Sequence, residues 1–457
     1  MARGRALALL KRHGWNATSF QILEPGFRYW FGPDDACVGY VDTGDAWIAA
    51  GAPVADDAAL ARAAEGFVAA ASAAGRRAAF FATEERVALD PAHDGLVALR
   101  IGEQPVWDPA AWDGAVRATR SLREQLRRAR AKGVVVRALP PAELADAAGP
   151  TRRAVDALIA RWAAGHPMPP MGFLVQVHAY EHLDERRCFV AERDGRVVGF
   201  LAAVPVYARG GWLFEDLLRD PSAPNGTGEL LFDAAMRAAA AEGSRYVTLG
   251  LVPLAGPLPA WLRLARRSGV GLYDFEGLRA FKAKLRPGAW ASIYLSYPRA
   301  QGEVRTVRDV LVAFARGGLG RFGLATLLRA PAVLVQLLAL LLLPWTALLA
   351  FASGGRWFPS RGVQLGWVLF DLALAAALVR LGRRWRGGLD VALATLVSLD
   401  AALTAFEAAT FNLRRAPLEA TDVLVSALAV LGPTVAAWAL WRGVAKDLRR
   451  RARDQRL

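Results

Sequence analysis

The sequence predicts two α/β units in series, followed by a bundle of four membrane-spanning helices. The chain has 457 residues, which is more than one ordinary domain needs. Short strands and helices occur twice in similar order before Pro298, and four long apolar stretches follow it. A content of 54% hydrophobic and 22% charged residues fits such a hybrid better than it fits a purely soluble or a purely membrane-embedded protein.

The first unit is predicted to cover residues 1–140. Strands are expected over 36–41 and 46–50, because short apolar stretches there are separated by turn residues. The alanine-rich segment 58–74 predicts a helix, and 78–83 predicts a buried strand. The expected order is therefore β-β-α-β.

The second unit is predicted to cover residues 141–300 and to repeat this alternation. The predicted elements are a helix over 141–164, strands over 187–191, 197–206 and 212–217, a helix over 228–241 and a strand over 246–249. Asp194 and Gly195 form the turn between the first two of these strands.

A strongly basic helix is predicted between the two units, over residues 117–132. It carries Arg117, Arg120, Arg123, Arg127, Arg128, Arg130 and Lys132 against the single acid Glu124. One interpretation is a solvated helix face. The other is a surface that binds the phosphates of a nucleic acid, since counterion release favours such clusters. The formal net charge of +15 also favours a polyanionic partner, either nucleic acid or an anionic lipid surface.

The remaining chain has the character of a membrane protein. Residues 301–329 interleave arginines with apolar residues and predict a basic amphipathic linker on a membrane surface. The membrane part is predicted over 330–441, with spans at 330–352, 362–379, 391–411 and 423–441, and 442–457 forms a basic tail. Arginines concentrate between the second and third spans and in the tail, which places both termini in the cytoplasm.

Acidic residues occur inside these predicted spans. Asp371 and Asp400 fall near the centres of their spans, and Glu407 lies nearer an end. Because a carboxylate at mid-bilayer is costly, these side chains are expected to face the bundle interior. Two interpretations remain open: hydrogen bonds that hold the helices together, or a polar path that admits a lipid headgroup.

Several classes of site find no support in the sequence. The hydrolase motif G-x-S-x-G, the P-loop and the zinc motif H-E-x-x-H do not occur. Cys37 and Cys188 are the only cysteines, so no disulfide framework is expected. His178 and His182 lie four residues apart and suggest half of a metal site, but no further ligands follow at a usable spacing. We therefore interpret them as helix-surface residues and predict no metal.

Two lysines stand out because the chain otherwise uses arginine. Only five of its 57 basic residues are lysines, and Lys282 and Lys284 lie two residues apart. A site indifferent to amine or guanidinium would more often contain arginine in this chain, so the pair predicts a function for the amine. Gly226 and Gly228 lie between a strand and a helix, where a turn can direct backbone N–H groups toward a phosphate.

A series of motifs in the second unit resembles a known family. The motifs are, in chain order, Asp216-Leu-Leu-Arg219, Ala223-Pro-Asn-Gly226 with Glu229, Leu249-Gly-Leu-Val-Pro-Leu254, Tyr273-Asp-Phe-Glu-Gly-Leu278, Phe281-Lys-Ala-Lys284, and then Pro287, Trp290, Tyr294-Leu295 and Pro298. They resemble the C-terminal catalytic domain of bacterial phosphatidylglycerol lysyltransferases, the multiple peptide resistance factor family of aminoacyl-lipid synthases. The resemblance covers about residues 15 to 300. It implies tandem GNAT (acetyltransferase-like) folds, followed here by the four-helix transmembrane bundle.

The resemblance also implies an activity: transfer of an aminoacyl group from charged tRNA to the hydroxyl of phosphatidylglycerol at the bacterial inner membrane. An aminoacyl ester is already activated, so positioning, proton removal and oxyanion stabilisation suffice, and no cofactor is expected beyond the aminoacyl-tRNA co-substrate. Familiar members carry a large membrane domain before the catalytic domain, whereas here the spans follow it. Lipid flipping by that domain is therefore not implied.

Roles for individual residues follow from this chemistry. Asp216 or Glu215 is predicted to serve as the base or to hold the substrate ammonium. Arg219, Lys282 and Lys284 are predicted to bind the lipid phosphate, the tRNA 3′ end or the oxyanion. The other predicted residues are Glu215, Asn225, Gly226, Glu229 and Tyr273 for substrate binding, and Arg120, Arg123 and Arg127 for tRNA binding. A structural ion pair of Asp216 with Arg219 remains the alternative.

Two other functions remain open at this stage. One is a CoA-dependent N-acyltransferase, since the fold is shared, although Arg219 lies too far from Gly226 for the usual pyrophosphate motif. The other is a degenerate scaffold on a membrane anchor, against which the intact motif series argues. The sequence leaves open the amino acid, the exact lipid acceptor and the oligomeric state.

Overall fold

The protein is described from a computed structural model, which covers residues 1–88, 95–165, 171–268, 274–315, 318–329, 331–351, 358, 360–383, 388–414 and 419–454. The chain forms two compact units. The first contains residues 1–270 and 274–322, and the second contains 323–457. Each unit is described separately.

In the part of the chain that the structure describes, the first unit is built on one mixed sheet of twelve strands. The strands are β1 (Arg28–Phe31), β2 (Cys37–Asp42), β3 (Ala46–Ala50), β4 (Arg77–Thr83), β5 (Leu96–Trp107), β6 (Val135–Leu139), β7 (Arg187–Arg193), β8 (Arg196–Val206), β9 (Gly211–Arg219), β10 (Tyr246–Thr248), β11 (Val252–Pro253) and β12 (Ala289–Pro298). Their order in the sheet is β1-β2-β3-β4-β12-β5-β10-β9-β8-β7-β6, and β11 pairs with β5.

Helices cover this sheet. They are α1 (Ala2–His13), α2 (Leu60–Ala73), α3 (Glu85–Ala88), α4 (Trp112–Ala118), α5 (Arg120–Ala131), α6 (Pro141–Ala145), α7 (Pro150–Ala164), α8 (Thr227–Ala241), α9 (Ala260–Ser268), α10 (Phe275–Lys284) and α11 (Glu303–Phe314). A further helix, α12 (Leu319–Arg329), begins in the first unit and ends in the second. The predicted helix over 141–164 is divided into α6 and α7, because Asp146 and Gly149 adopt extended conformations between them.

The sheet shows the predicted duplication and also joins its halves. β3 and β4 are connected by α2 and pair in parallel, and β9 and β10 are connected by α8 and also pair in parallel. Strand β12 inserts between β4 and β5 and pairs with both in antiparallel register. The last strand of the second half therefore completes the first half, so the two halves share one sheet. The boundary predicted at residue 140 stays a prediction.

Aromatic packing fixes α8 on the sheet. The ring of Phe232 meets those of Trp107, Trp112 and Phe214 edge to face, at centroid distances of 5.0, 5.1 and 5.5 Å. Asp233 on the same helix is buried and accepts hydrogen bonds from the Trp112 indole at 2.9 Å and from Arg130 at 3.0 Å. These contacts hold the start of α8 and the basic helix α5 in place.

The segment predicted as a membrane-surface linker is divided. Its first helix, α11, belongs to the first unit, where the buried Asp309 accepts two hydrogen bonds from Arg77, at 2.6 and 2.8 Å. Phe314 packs edge to face on Phe81 and Phe173. One face of α11 is thus part of the α/β core.

Among the described residues, the second unit contains four helices long and apolar enough to cross a membrane, as predicted. They are α13 (Pro331–Phe351), α14 (Arg361–Arg383), α15 (Leu389–Thr410) and α16 (Ala420–Asp454). Asp371 and Asp400 are buried in the unit, at 5% and 8% exposure, and each lies 3.4 Å from a threonine hydroxyl, of Thr346 and Thr404 respectively. Glu407 is partly buried. The inward orientation expected for the two aspartates is present.

Candidate functional site

The site begins at an irregularity in β9. Phe214 pairs with Ala203 and Asp216 pairs with Ala202, so Glu215 is an extra residue in the ladder. Such a bulge redirects side chains. Both carboxyl groups reach an environment from which water is largely excluded, since Asp216 is 7% exposed and the Glu215 side chain 5%.

Two residues that the sequence did not predict complete this cluster. Arg186 precedes β7 and donates to Glu215 at 2.7 Å and to the carbonyl of Glu181 at 2.7 Å. Glu24 follows a 3-10 helix, Ala17–Leu23, and its buried carboxyl faces Glu215. We name these four residues, Glu24, Arg186, Glu215 and Asp216, the acid cluster.

Three carboxyl groups share one guanidinium in the acid cluster. Burial raises the pKa of Glu24 and of Asp216, the neighbouring Glu215 raises both further, and Arg186 opposes the shift. Burial therefore favours the protonated forms of Glu24 and Asp216 more than water would. Buried oxygen atoms of Glu24 (Oε1), Glu215 (Oε1) and Asp216 (Oδ2) have no hydrogen-bond partner within the protein. Such atoms can accept hydrogen bonds from a ligand.

A cavity adjoins the acid cluster at Glu24. Its volume is about 470 Å³, and its polar wall includes Glu24, Asp42, Gln176 and His178. Phe27, Phe173 and Leu174 supply apolar surface. Phe173 and Leu174 have φ angles of 38° and 61°, which non-glycine residues seldom adopt and which often mark functional segments.

The predicted histidine pair does not lie on a helix. His178 contacts Gln176 at 3.1 Å and lies 4.0 Å from Glu24, while His182 has a left-handed φ of 52° before a 3-10 turn. The helix-surface interpretation was therefore wrong in its placement. Within the described residues, no group of three or more His, Cys, Asp or Glu side chains is arranged to hold a metal ion.

The start of α8 carries a second group of predicted residues. By strand alternation, Arg219 points to the sheet face opposite to Asp216; it is exposed and lies 3.4 Å from Asn225. Glu229 is partly buried in the first turn of α8. The alternative ion pair of Asp216 with Arg219 is not formed.

Gly226 serves the packing of α8 against α5. Its φ is 94°, and a Cβ atom there would lie 2.2 Å from the carbonyl oxygen of Gln125. Only glycine permits this approach. The contact brings the basic helix next to Arg219 and Asn225.

The basic helix α5 presents its charges outward. Leu122, Leu126 and Ala129 are buried, whereas Arg120, Arg123 and Arg127 are exposed. Arg127 pairs with Glu124 at 2.9 Å, and Arg123 donates to the carbonyl of Arg117. Since α5 touches the α8 start, its arginines border the second group of site residues.

Lys282 is buried, and its ammonium is fully engaged. Its Nζ atom donates to the carbonyl oxygens of Leu249, Gly250 and Leu251 at 2.7, 3.0 and 3.2 Å. Burial lowers its pKa to about 7. This geometry makes Lys282 a positioning residue for the loop 249–251 rather than a direct ligand of substrate.

The loop 249–251 lies where the sheet opens. The pairing of β10 with β9 ends at Thr248 and Leu213, while β9 continues to Arg219. The opening is therefore bounded by the end of β9 and by the loop that Lys282 holds. Lys284 is exposed at the end of α10, and Tyr273 lies outside the described residues.

The site thus combines the buried carboxyl groups of the acid cluster with a row of exposed arginines, Arg219 and those of α5, which we name the basic edge. The family described as phosphatidylglycerol lysyltransferase, C-terminal, matches residues 7–297. The chain belongs to this family. Its membership supports a transferase and, together with the four apolar helices, a membrane protein.

Individual relatives agree with this assignment. A phosphatidylglycerol lysyltransferase of Bacillus subtilis is 31% identical over 118 residues, which cover 24% of this chain and only 14% of that protein's length. The solved C-terminal domain of a putative lysylphosphatidylglycerol synthetase from Agrobacterium fabrum is 24% identical with a TM-score of 0.60, covering 69% of this chain and 97% of that one. L-PGS from Bacillus licheniformis is 20% identical with a TM-score of 0.58, covering 68% and 96%. The predicted fold class, tandem acetyltransferase-like folds with a helical membrane part, is confirmed.

Proposed function

We propose that the protein transfers an aminoacyl group from charged tRNA to the hydroxyl of phosphatidylglycerol or a similar lipid. Family membership supports an aminoacyl-lipid synthase. The observation that carries the finer proposal is that the acid cluster lies beside a cavity and that its strand, β9, ends at Arg219 of the basic edge. Arg219 lies three positions after Asp216 on β9, at a distance of about 10 Å between their Cα atoms.

The acid cluster supplies proton transfer and cation binding. Burial raises the pKa values of Asp216 and Glu24, so either carboxyl group, once ionised beside the substrate ammonium, is basic enough to accept the proton of a lipid hydroxyl. When that hydroxyl attacks the ester carbonyl, the new C–O bond forms and the ribose oxygen of the tRNA leaves. The ammonium of the aminoacyl group is the cation that the three carboxyl groups favour.

The basic edge binds the nucleic acid. Arg120, Arg123 and Arg127 on α5 contact tRNA phosphates, and Arg219, supported by Asn225, holds a phosphate nearer the reacting atoms. We place the catalytic unit and both termini in the cytoplasm of a bacterial cell, with the four helices in the inner membrane. No cofactor is required, because the aminoacyl-tRNA ester is itself the activated donor.

A lipid extract tests the proposal. Cells that express the chain should contain a new aminoacylated phospholipid, and cells with the Asp216→Asn variant should lack it. With purified protein, the product should require charged tRNA and disappear on ribonuclease treatment. Formation from an acyl-CoA instead would support the alternative N-acyltransferase; the close packing of Gly226 on Gln125 argues against a pyrophosphate there.

A further inference from the structure

Two surface helices of the first unit expose an unusual amount of apolar surface. In the described part of residues 1–322, eight large hydrophobic residues are exposed, and four of them lie on α9 and α11. They are Trp261 and Leu264, at 39% and 64% exposure, and Val304 and Leu311, at 79% and 51%. The other four are scattered along the chain.

The two helices form one surface. The Trp261 indole of α9 donates to Glu303 of α11 at 2.5 Å. Leu262 of α9 and Val310 of α11 are buried in the same core cluster. The exposed residues therefore belong to neighbouring helices whose inner sides are fixed.

This surface is positively charged. Arg263, Arg305 and Arg308 are exposed between the apolar residues. Helix α9 contains no acid, and both acids of α11 are engaged: Glu303 by Trp261, and Asp309 by Arg77. Apolar residues interleaved with arginines are typical of a surface that lies in the interface of an anionic bilayer.

We propose that α9 and α11 together dock the α/β unit on the anionic membrane surface. Chain continuity supports this occupant, because only α12 and two short connections separate α11 from α13, the first membrane helix. The prediction from sequence concerned residues 301–329 alone; the structure adds α9, which lies earlier in the chain. Docking does not depend on the proposed transfer reaction.

Site-specific fluorescence tests the docking surface. The native cysteines Cys37 and Cys188 are buried, so single cysteines introduced by Leu264→Cys or Val304→Cys can be labelled selectively. The labelled full-length chain is reconstituted in vesicles of phosphatidylglycerol and phosphatidylcholine that carry a quencher on the acyl chains. Val135→Cys is the matched control, since Val135 is 66% exposed on β6.

Quenching is expected at positions 264 and 304 and not at 135. The combined change of Arg305 and Arg308 to Gln should lower the ratio of docked to undocked protein by about fivefold for each arginine. Equal quenching at all three positions, or none at 264 and 304, would overturn the proposal. If the labels at 264 and 304 remain shielded from solvent in detergent, and more so at higher protein concentration, the surface would be assigned to a second copy of the chain. Loss of quenching on adding tRNA would assign the surface to nucleic acid. Leu311→Cys replaces either probe variant that fails to fold.

Discussion

Exchanging Lys282 for arginine tests how the loop 249–251 is held. The substitution keeps a positive charge but replaces a compact ammonium by a planar guanidinium. In the structure one nitrogen atom donates to three successive carbonyl oxygens at 2.7, 3.0 and 3.2 Å. A guanidinium spreads its donors over a plane and is longer, so it cannot converge on these three acceptors in the same buried volume.

The expected magnitude follows from these contacts. A hydrogen bond to a charged group contributes about 1.5–3 kcal/mol, so losing one of the three shifts the loop or destabilises the unit by about that amount. The loop bounds the opening in the sheet, and a displacement of about 1 Å at a reacting centre can cost about a hundredfold in rate. We expect transfer to fall by about tenfold or more, equivalent to about 1.4 kcal/mol of barrier.

The assay is transfer of a radiolabelled aminoacyl group from charged tRNA to phosphatidylglycerol vesicles, together with the thermal unfolding midpoint. The matched control is Lys11→Arg, because Lys11 is an exposed lysine that pairs with Glu185. The control should retain wild-type transfer. Wild-type transfer in Lys282→Arg would refute the requirement for an amine at this position.

Four further predictions concern other parts of the molecule. Because the pKa of Lys282 is lowered to about 7, the unfolding midpoint of wild type should rise between about pH 7 and 10.5, whereas that of Lys282→Met should not. The same pH dependence in both proteins would show that Lys282 does not titrate in this range. Asp216→Asn mimics the protonated acid, so the unfolding midpoint should be kept while transfer falls by about a hundredfold or more; a lower midpoint would indicate a structural role instead. Changing Arg120, Arg123 and Arg127 to Ala should weaken charged-tRNA binding without affecting lipid binding, and the slope of log binding constant against log salt concentration should flatten by about 0.7–0.9 per lost phosphate contact. An unchanged slope would indicate that the arginines of α5 only face solvent. The double variant Asp371→Asn, Asp400→Asn preserves hydrogen bonding, so its membrane insertion and lipid synthesis should match wild type, as should the labelling of product by an impermeant amine reagent on intact cells. Reduced labelling would indicate a polar path through the helices.

Local patterns predicted most elements of the fold. Alternation and turn residues located β2, β3, β4 and β7 to β10, and uninterrupted apolar length located the four membrane helices. The insertion of β12 between β4 and β5 was not predictable in this way, because it depends on pairing between segments separated by much of the chain. The break between α6 and α7 was also missed, since Asp146 and Gly149 interrupt an otherwise helical composition.

The candidate site was only partly accessible from sequence. Glu215 and Asp216 attract attention as adjacent acids after an apolar strand, but Glu24 and Arg186 come from distant segments and carry no spacing signal. Glu24 is a single acid between the largely apolar segment 20–23 and Pro25-Gly26, and this position was the one available sign; its burial is seen only in the structure. Lys282 was selected correctly as unusual, but its partners are backbone carbonyls, which side-chain patterns do not reveal.

In the proposed transfer reaction, the composition of the acid cluster would link substrate binding to proton transfer. Burial and the charge of Glu215 disfavour the ionised forms of Glu24 and Asp216, and Arg186 compensates only one carboxylate. A bound ammonium would supply a second positive charge and lower both pKa values. A carboxyl group would then lose its proton when the aminoacyl group is in place, which is when a base is needed to deprotonate the lipid hydroxyl. In this arrangement the base forms only with substrate bound, so the protein need not keep an unpaired carboxylate buried between turnovers.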